Sequence, residues 1–391
     1  MPHFDSLKFV PSSKLMRNLK LVIVIGISIF LIGLFFAPQR SWANLLLANY
    51  YLISLGLAGV LFIAFQFVSN AGWGTAIRRV PEAMSGVLIY STGIMLIMLL
   101  GLHSLFEWTH KEVVAADSIL QSKTFWLNEP FFIVRTILFL GLWILMASFL
   151  IKFSRKQDES GDVSLTKKSK RLSAGFIVVF ALSFSFFSMD WIMSLEPHWF
   201  STIFAVYNFS GLFLNGLAAI TIVTILLRRM GPFQNVLTQK HLHNLGKLLF
   251  AFSTFWMYIW FSQYLLIWYA NIPEEVTYFI RREEGSWAIF TVVNVLFNWV
   301  IPFVLLLPKR TKINEGLLFK ICIIIMAGHW IDLYWMIMPP FMKSYPSFNI
   351  WEIGPMAASI SAFFYLTFRT FAKGNIVPIN DPYLVESLDH H

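Results

Sequence analysis

Long apolar runs alternate with short polar segments along the whole chain. Ten of these runs are roughly 20 residues long, the length that an α-helix needs to cross the hydrocarbon core of a bilayer. The pattern predicts an all-α integral membrane protein with ten transmembrane helices. The predicted spans are residues 19–38, 47–68, 84–105, 131–153, 172–194, 200–227, 246–270, 286–307, 317–338 and 352–372.

The basic residues predict the orientation of these spans. Most Lys and Arg lie in the N-terminal tail, in every second connection and in the C-terminal tail, whereas the remaining connections hold few. Basic segments next to membrane helices face the cytoplasm. We therefore expect both termini to be cytoplasmic. The end of the bundle that carries Arg78 and Arg228 is the predicted cytoplasmic end, and the opposite end is the predicted periplasmic end.

Composition agrees with a membrane protein and excludes several kinds of site. The chain is 57% hydrophobic and only 13% charged, about half the charged share of soluble domains. Its net charge of +9 follows from the loop bias, so we expect lipid and not nucleic acid as the partner of this charge. Cys322 is the single cysteine. We therefore expect no metal site and no cofactor held covalently or by cysteine.

Two pairs of similar segments indicate an internal repeat. Arg78-Arg79 follows span 2 and Arg228-Arg229 follows span 6, while Asp190 and Asp332 lie near the ends of spans 5 and 9. Repeats of this kind are common in membrane bundles. The repeat predicts a cytoplasmic tail at 1–18, a flanking helix at 19–38, four-helix bundles at 47–194 (spans 2–5) and 200–338 (spans 6–9), and a flanking helix with a cytoplasmic tail at 352–391.

Ionisable side chains inside spans are the main candidates for chemistry, because they are costly in a bilayer and normally face protein or water. The candidates are His103, Glu107, Arg135, Asp190, His329 and Asp332. We expect all six in one polar region toward the predicted periplasmic end. The i,i+4 pair His103 and Glu107 and the i,i+3 pair His329 and Asp332 should each share a helix face.

Each of these groups also has a simpler interpretation. His103 and Glu107 could be hydrated at the level of the lipid head groups. Asp190 and Asp332 could form structural ion pairs, with Arg135 as a partner for either. An Asp beside a His in a medium of low dielectric constant can instead pass protons.

A second set of polar residues is predicted deeper in the membrane. It comprises Asn208, Asn215, Gln263, Asn294 and Asn298. Amides with small neighbours commonly hold membrane helices together by hydrogen bonds, and they can also line a chain of water. The first interpretation is favoured here.

Two segments resemble a known family. They are Gln66–Gly74 with Arg78–Met84, and Ser188–Trp199, which reads SMDWIMSLEPHW. Together with the ten spans they resemble the second large membrane subunits of alternative complex III, a bacterial quinol:cytochrome c (or quinol:oxidase) oxidoreductase. These subunits belong to the polysulfide-reductase membrane-anchor (NrfD-like) superfamily. The resemblance covers nearly the whole chain.

The resemblance implies a setting and a function. It implies two four-helix bundles plus flanking helices in the bacterial cytoplasmic (inner) membrane. It also implies a homologous NrfD-like subunit, a multihaem cytochrome c and an iron–sulfur subunit as partners, which would hold all the haems and clusters. The six ionisable residues would then line a proton path or a pocket for quinol, such as menaquinol.

The sequence leaves three hypotheses for the function. The first is a subunit of a quinol-oxidising complex that carries protons and could in addition bind quinol, although the homologous subunit is the better candidate for the main quinol-oxidising site. The second is a secondary transporter or proton channel that acts alone. The third is a structural anchor whose polar groups satisfy one another.

Overall fold

The computed structural model describes residues 8–342 and 345–388, so parts of the two predicted tails lie outside the described residues. No strand occurs within these ranges. The ten longest helical segments are α1 Ser13–Phe36, α2 Pro38–Val68, α3 Arg79–Leu105, α4 Glu129–Ser160, α5 Ser164–Trp191, α6 Phe204–Arg229, α7 Gln239–Ala270, α8 Trp287–Leu306, α9 Glu315–Ile337 and α10 Ile350–Phe371.

Eight of these helices, within the described ranges, are long and apolar enough to cross a membrane. The chain is therefore an all-helical, multi-pass membrane protein. The other two, α7 and α10, overlap the predicted spans 246–270 and 352–372, but they contain many Trp, Tyr, Ser and Thr side chains, which lower their mean hydropathy. The count of ten transmembrane helices stays a prediction.

Several helices extend beyond the predicted spans. The α2 helix begins at Pro38, and α4 and α5 continue through most of 154–171, leaving only residues 161–163 between them. Gly161 ends α4 with a positive φ of 64°, a conformation that glycine adopts at little cost. Hydropathy detects the part of a helix that lies in hydrocarbon, so it misses turns that continue into water.

The helices contact one another in two closed rings. In the first ring α2 contacts α3, α3 contacts α4, α4 contacts α5, and α5 contacts α2. In the second ring α6 contacts α7, α7 contacts α8, α8 contacts α9, and α9 contacts α6. The rings meet mainly where α2 and α5 pack against α6.

The α2 and α6 helices form the centre of the molecule. Their most apolar windows are 89% and 94% buried, whereas that of α1 is 11% buried. A Cβ atom at Gly216 of α6 would lie 2.0 Å from the Cβ of Ala58 on α2, so the two backbones can approach only because Gly216 has no side chain. The outer α1 helix packs mainly against α10.

Short helices cover the ends of the bundle. At the predicted periplasmic end these are Glu107–Thr109, Lys111–Ala116, Ser118–Lys123, Met193–Leu195, Pro273–Glu283 and Pro339–Met342. At the other end they are Gly72–Ile77, Lys309–Ile313 and Leu384–Leu388. They fill the space between helix ends and carry several of the polar contacts described below.

The α8 helix contains a π-turn at Leu296–Val300, just before Pro302. The carbonyl of Asn298 would normally accept from the N–H of residue 302, but Pro302 has none. It accepts instead from the hydroxyl of Ser253 on α7, at 2.6 Å. The irregular turn is therefore attached to the neighbouring helix.

Both arginine pairs of the suspected repeat form ion pairs with carboxylates at the predicted cytoplasmic end. Arg78 pairs with Asp381 near the C-terminus, and Arg79 pairs with Glu82 and Asp158. In the second ring, Arg228 and Arg229 both pair with Glu315 at the start of α9. These arginines hold helix ends together.

Candidate functional site

Asp190 lies near the C-terminal end of α5 and forms a closed ion pair. Arg135 of α4 donates from Nε to Oδ2 at 2.8 Å and from Nη2 to Oδ1 at 2.9 Å. The indole N–H of Trp126 also donates to Oδ1 at 2.9 Å. Both charged side chains are buried, at 5% and 2% exposure. Such a two-pronged contact is the strongest form of Arg–carboxylate pair.

Aromatic rings enclose the arginine of this pair. The Arg135 guanidinium lies 4.1 Å from the ring centre of Trp126 and 4.2 Å from that of Phe131. It also donates to the Trp126 carbonyl at 3.2 Å. The ion pair thus fixes the loop before α4 against the end of α5, which favours the structural interpretation for Asp190 and Arg135.

Asp332 of α9 is equally buried, at 1% exposure, but all of its donors are neutral. The Tyr207 hydroxyl donates to Oδ1, Asn294 Nδ2 donates to Oδ1 at 2.8 Å, and Trp256 Nε1 donates to Oδ2 at 3.1 Å. These donors come from α6, α8 and α7. Within the described residues, no Lys or Arg forms an ion pair with Asp332.

His329 lies one turn before Asp332 and is 2% exposed. Its Nδ1 is 3.8 Å from Asp332 Oδ2, too far for a direct hydrogen bond. Neither ring nitrogen has a hydrogen-bond partner among the described residues. A Cβ at Gly211 of α6 would lie 3.0 Å from the imidazole ring, so this glycine makes room for it.

Two of the amides predicted to lie deeper, Asn294 and Asn298, are connected to Asp332 by hydrogen bonds. Asn298 Nδ2 donates to Asn294 Oδ1 at 2.7 Å, and Asn294 donates directly to Asp332. Asn298 Oδ1 and both ring nitrogens of His329 have no hydrogen-bond partner among the described residues, although buried polar atoms are nearly always hydrogen-bonded. The prediction of a separate, deeper polar set is therefore wrong for Asn294, which contacts Asp332 directly.

The other predicted amides make different contacts. Tyr50 and Tyr51 of α2 donate to the side chains of Asn208 and Asn215 on α6, at 3.5 Å and 3.2 Å. The Tyr51 ring also lies 5.8 Å from the His329 ring. These two amides attach α2 to α6, as the favoured interpretation requires. Gln263 is buried, and its Oε1 has no partner within the described ranges.

His103 and Glu107 do not share a helix face, so this expectation is wrong. The α3 helix ends at Leu105, Phe106 is extended, and Glu107 begins a separate turn. The side chain of His103 is 64% exposed, with Nε2 3.7 Å from Glu129. Glu107 is also exposed. The i,i+4 rule fails here because the helix ends between the two residues.

The six candidates therefore do not form one polar region. Arg135 binds Asp190 in the first ring, and His329 lies beside Asp332 in the second. No hydrogen bond or ion pair between described residues connects these two sites. His103 and Glu107 lie at the surface of the predicted periplasmic end.

Sequence reasoning missed the ion pair of a buried arginine at this end. Arg282 lies in the short helix Pro273–Glu283 and is 0% exposed, and its Nη2 donates to Glu196 Oε1 at 2.6 Å. The predicted spans 246–270 and 286–307 leave residues 271–285 as a connection without predicted structure. Its acidic first turn after Pro273 and basic last turn fit the charge pattern of a helix, and this signal could have predicted it.

An open cleft of about 770 Å³ lies beside this ion pair. Charged and polar side chains line much of it, and they include Glu107, Glu196, His198, Arg281 and Glu284. Next to the cleft, His198 Nε2 lies 2.5 Å from Asp117 Oδ2. This hydrogen bond, with those from the backbone N–H groups of Leu120 and Ile119, lowers the pKa of Asp117.

Comparison with known proteins does not identify a family. No protein-family model matches the chain, and no curated protein is significantly similar to it. The resemblance to alternative complex III subunits thus stays a prediction from the two sequence motifs. In the structure the second motif supplies Asp190, which pairs with the buried Arg135, and the partly exposed Glu196, which pairs with the buried Arg282.

Proposed function

We propose that this chain is a membrane subunit of a quinol:cytochrome c (or quinol:oxidase) oxidoreductase of the alternative complex III type, and that it carries protons through its second ring of helices. The two motifs support the class of complex. The contacts among α2–α5 and among α6–α9 support the proposed arrangement of two four-helix bundles within ten transmembrane helices.

The Asp332 site is the observation that carries the proposal of a proton path. An ion pair restricts both partners, because neutralising either one leaves the other charge buried and alone. Asp332 has no such restriction, since Tyr207, Asn294 and Trp256 are neutral donors. It can gain or lose a proton without leaving a second buried charge uncompensated.

His329 provides the second proton-binding group of the path. Its imidazole can accept a proton on one nitrogen while it releases one from the other. The 3.8 Å gap between Nδ1 and Asp332 Oδ2 can be closed by one bridging water molecule or by a small rotation of the ring. The proton then moves between the carboxylate oxygen and the ring nitrogen, with no change in redox state.

The partners supply the electron transfer in this proposal. Oxidation of a quinol such as menaquinol releases two electrons and two protons, and the protons need an acceptor beside the head group. Haems and iron–sulfur clusters in the multihaem cytochrome and iron–sulfur subunits would take the electrons. The homologous NrfD-like subunit would hold the main quinol site, and this chain would move protons in the bacterial inner membrane.

Purification of the tagged chain from its own membranes in mild detergent tests the assignment to a complex. We expect haem absorbance to co-purify with the chain, together with quinol-dependent cytochrome reduction. A chain that purifies without haem proteins, and still moves protons in vesicles, would support the stand-alone transporter or channel.

Asp332→Asn in the purified particle tests the proton path. In vesicles, we expect the number of protons moved per electron to fall by at least about half, because the amide cannot ionise, although its single oxygen can still accept some of the hydrogen bonds. Cytochrome reduction without a gradient should continue. If both rates match the wild type, the anchor interpretation is correct, and if quinol oxidation itself stops, Asp332 contacts quinol.

A further inference from the structure

Arg282 is a fully buried cation at the boundary between the second ring and the cleft. Its side chain is 0% exposed. It donates to the carbonyls of Trp335 at 2.9 Å, Met336 at 3.0 Å and Tyr278 at 2.8 Å. Its carboxylate partner is Glu196, which lines the cleft. The guanidinium is thus held in one position by several acceptors.

Tyr278 supports this cation from the other side. The Arg282 guanidinium lies 3.4 Å from the ring centre of Tyr278, a close cation–π contact. The same ring stacks on Trp199, with ring centres 3.8 Å apart and an interplanar angle of 13°. The Tyr278 hydroxyl is buried and has no partner among the described residues.

Tyr278 also connects the cation with the Asp332 site electrostatically. Burial raises the pKa of Tyr278, Arg282 opposes this shift, and the nearby charges of Glu196 and Asp332 add to it. The phenol is therefore within electrostatic range of both carboxylates. One of them is in the buried site and the other is at the cleft.

Arg282 also binds the C-terminal end of α9, the helix that carries Asp332. The Trp335 and Met336 carbonyls that it binds lie one turn beyond Asp332 on α9. Such C-terminal carbonyls carry partial negative charge and hold a cation well. Arg282 therefore contacts both the end of α9 beyond Asp332 and Glu196, the carboxylate that lines the cleft.

We propose that Arg282, held by Glu196 and Tyr278, is an electrostatic barrier that limits proton exchange between Asp332 and the cleft. A fixed arginine in a narrow pore repels protons and other cations in the same way. The inference rests on the proposed proton path and adds its control at the predicted periplasmic end. Without such a barrier, protons would return through the path and dissipate the gradient.

Passive proton entry into vesicles tests the barrier. The full-length chain is reconstituted with a pH-sensitive dye inside, the membrane potential is clamped with potassium and valinomycin, and an external pH step is applied. We expect Arg282→Gln to speed equilibration by about tenfold or more, because it removes the charge but keeps an amide donor. Arg282→Lys keeps the charge and should equilibrate as slowly as the wild type.

Two controls separate this route from a general leak. Arg281→Gln changes the exposed neighbour that binds the other Glu196 oxygen, and it should leave the rate within about twofold. The double variant Arg282→Gln with Asp332→Asn should lose the added flux. If it leaks as fast as Arg282→Gln alone, protons bypass Asp332 and the inference is overturned.

A third variant remains informative if Arg282→Gln fails to fold. Arg282→His carries its charge only at acidic pH, so its leak should increase as the pH rises through about 6.5. A rate for Arg282→His that is equal to the wild type at all pH values would also overturn the barrier. Loss of proton movement in Asp332→Asn particles with no effect at Arg282 would reject only the barrier, whereas wild-type particles that move no protons would reject the proposed function.

Discussion

Asp190 and Asp332 occupy corresponding places near the ends of α5 and α9, and both are almost completely buried. Asp190 accepts from a guanidinium and an indole, whereas Asp332 accepts from a phenol, an amide and an indole. The difference that decides the charge balance is the guanidinium, which donates to Asp190 and has no counterpart among the donors to Asp332. That difference makes the first carboxylate half of an ion pair and leaves the second without a cationic partner.

The comparison shows that burial alone does not indicate function for a membrane carboxylate. Removing one partner of a buried ion pair is costly because the other charge stays behind. A carboxylate among neutral donors can change its protonation state without that cost. The presence or absence of a positively charged donor, and not the depth of burial, distinguishes a structural carboxylate from a candidate proton site.

The largest effect on stability should come from breaking the ion pair. We expect Asp190→Asn to lower the free energy of unfolding by about 3 kcal/mol or more, because Arg135 remains buried without a counter-charge. Denaturant unfolding in detergent micelles measures this change. Adding Arg135→Met should restore much of the loss. A double variant as unstable as Asp190→Asn would show that the pair is needed for more than charge compensation.

Removing one neutral donor from each carboxylate should have a smaller effect on stability, and it should distinguish the roles of Asp190 and Asp332 more clearly. Tyr207→Phe and Trp126→Phe each delete one hydrogen bond to a buried carboxylate, so each should lower the free energy of unfolding by about 1–2 kcal/mol. Only Tyr207→Phe should also change the rate of proton movement in vesicles. Equal proton rates in both variants would contradict the assignment of different roles.

The smallest effect should come from crowding the imidazole. Gly211→Ala places a methyl group 3.0 Å from the His329 ring, and we expect a loss of about 1 kcal/mol with slower proton movement. Gly175→Ala in the first ring is the matched control, since its Cβ would meet only Met146 Cε at 3.8 Å. Gly211→Ala with unchanged proton movement would argue against a role for the His329 position.

The sequence allowed prediction of the helices and of one contact. Apolar runs identified the positions of the ten long helices, and the charge of Arg135 identified it as a partner for a buried aspartate. The three donors to Asp332 lie on α6, α7 and α8. Which faces of these helices meet depends on helix rotation and side-chain packing, and hydropathy contains neither.

Local helix endings explain the other differences. His103 and Glu107 are four residues apart, but the chain leaves the helix at Phe106, an apolar residue that gives no stop signal. Arg282 lies outside every predicted span. The search for ionisable residues inside spans therefore did not select it. Its burial comes from the short helix that folds over the end of α9.

The proline in α8 has a consequence for the neighbours of Asp332. Because Pro302 cannot donate to the Asn298 carbonyl, that carbonyl binds Ser253 and joins α8 to α7. Asn294 and Trp256, which both donate to Asp332, lie on these two joined helices. The proline that interrupts the hydrogen bonds of α8 thus leaves a carbonyl free to join the two helices from which Asn294 and Trp256 reach the same carboxylate.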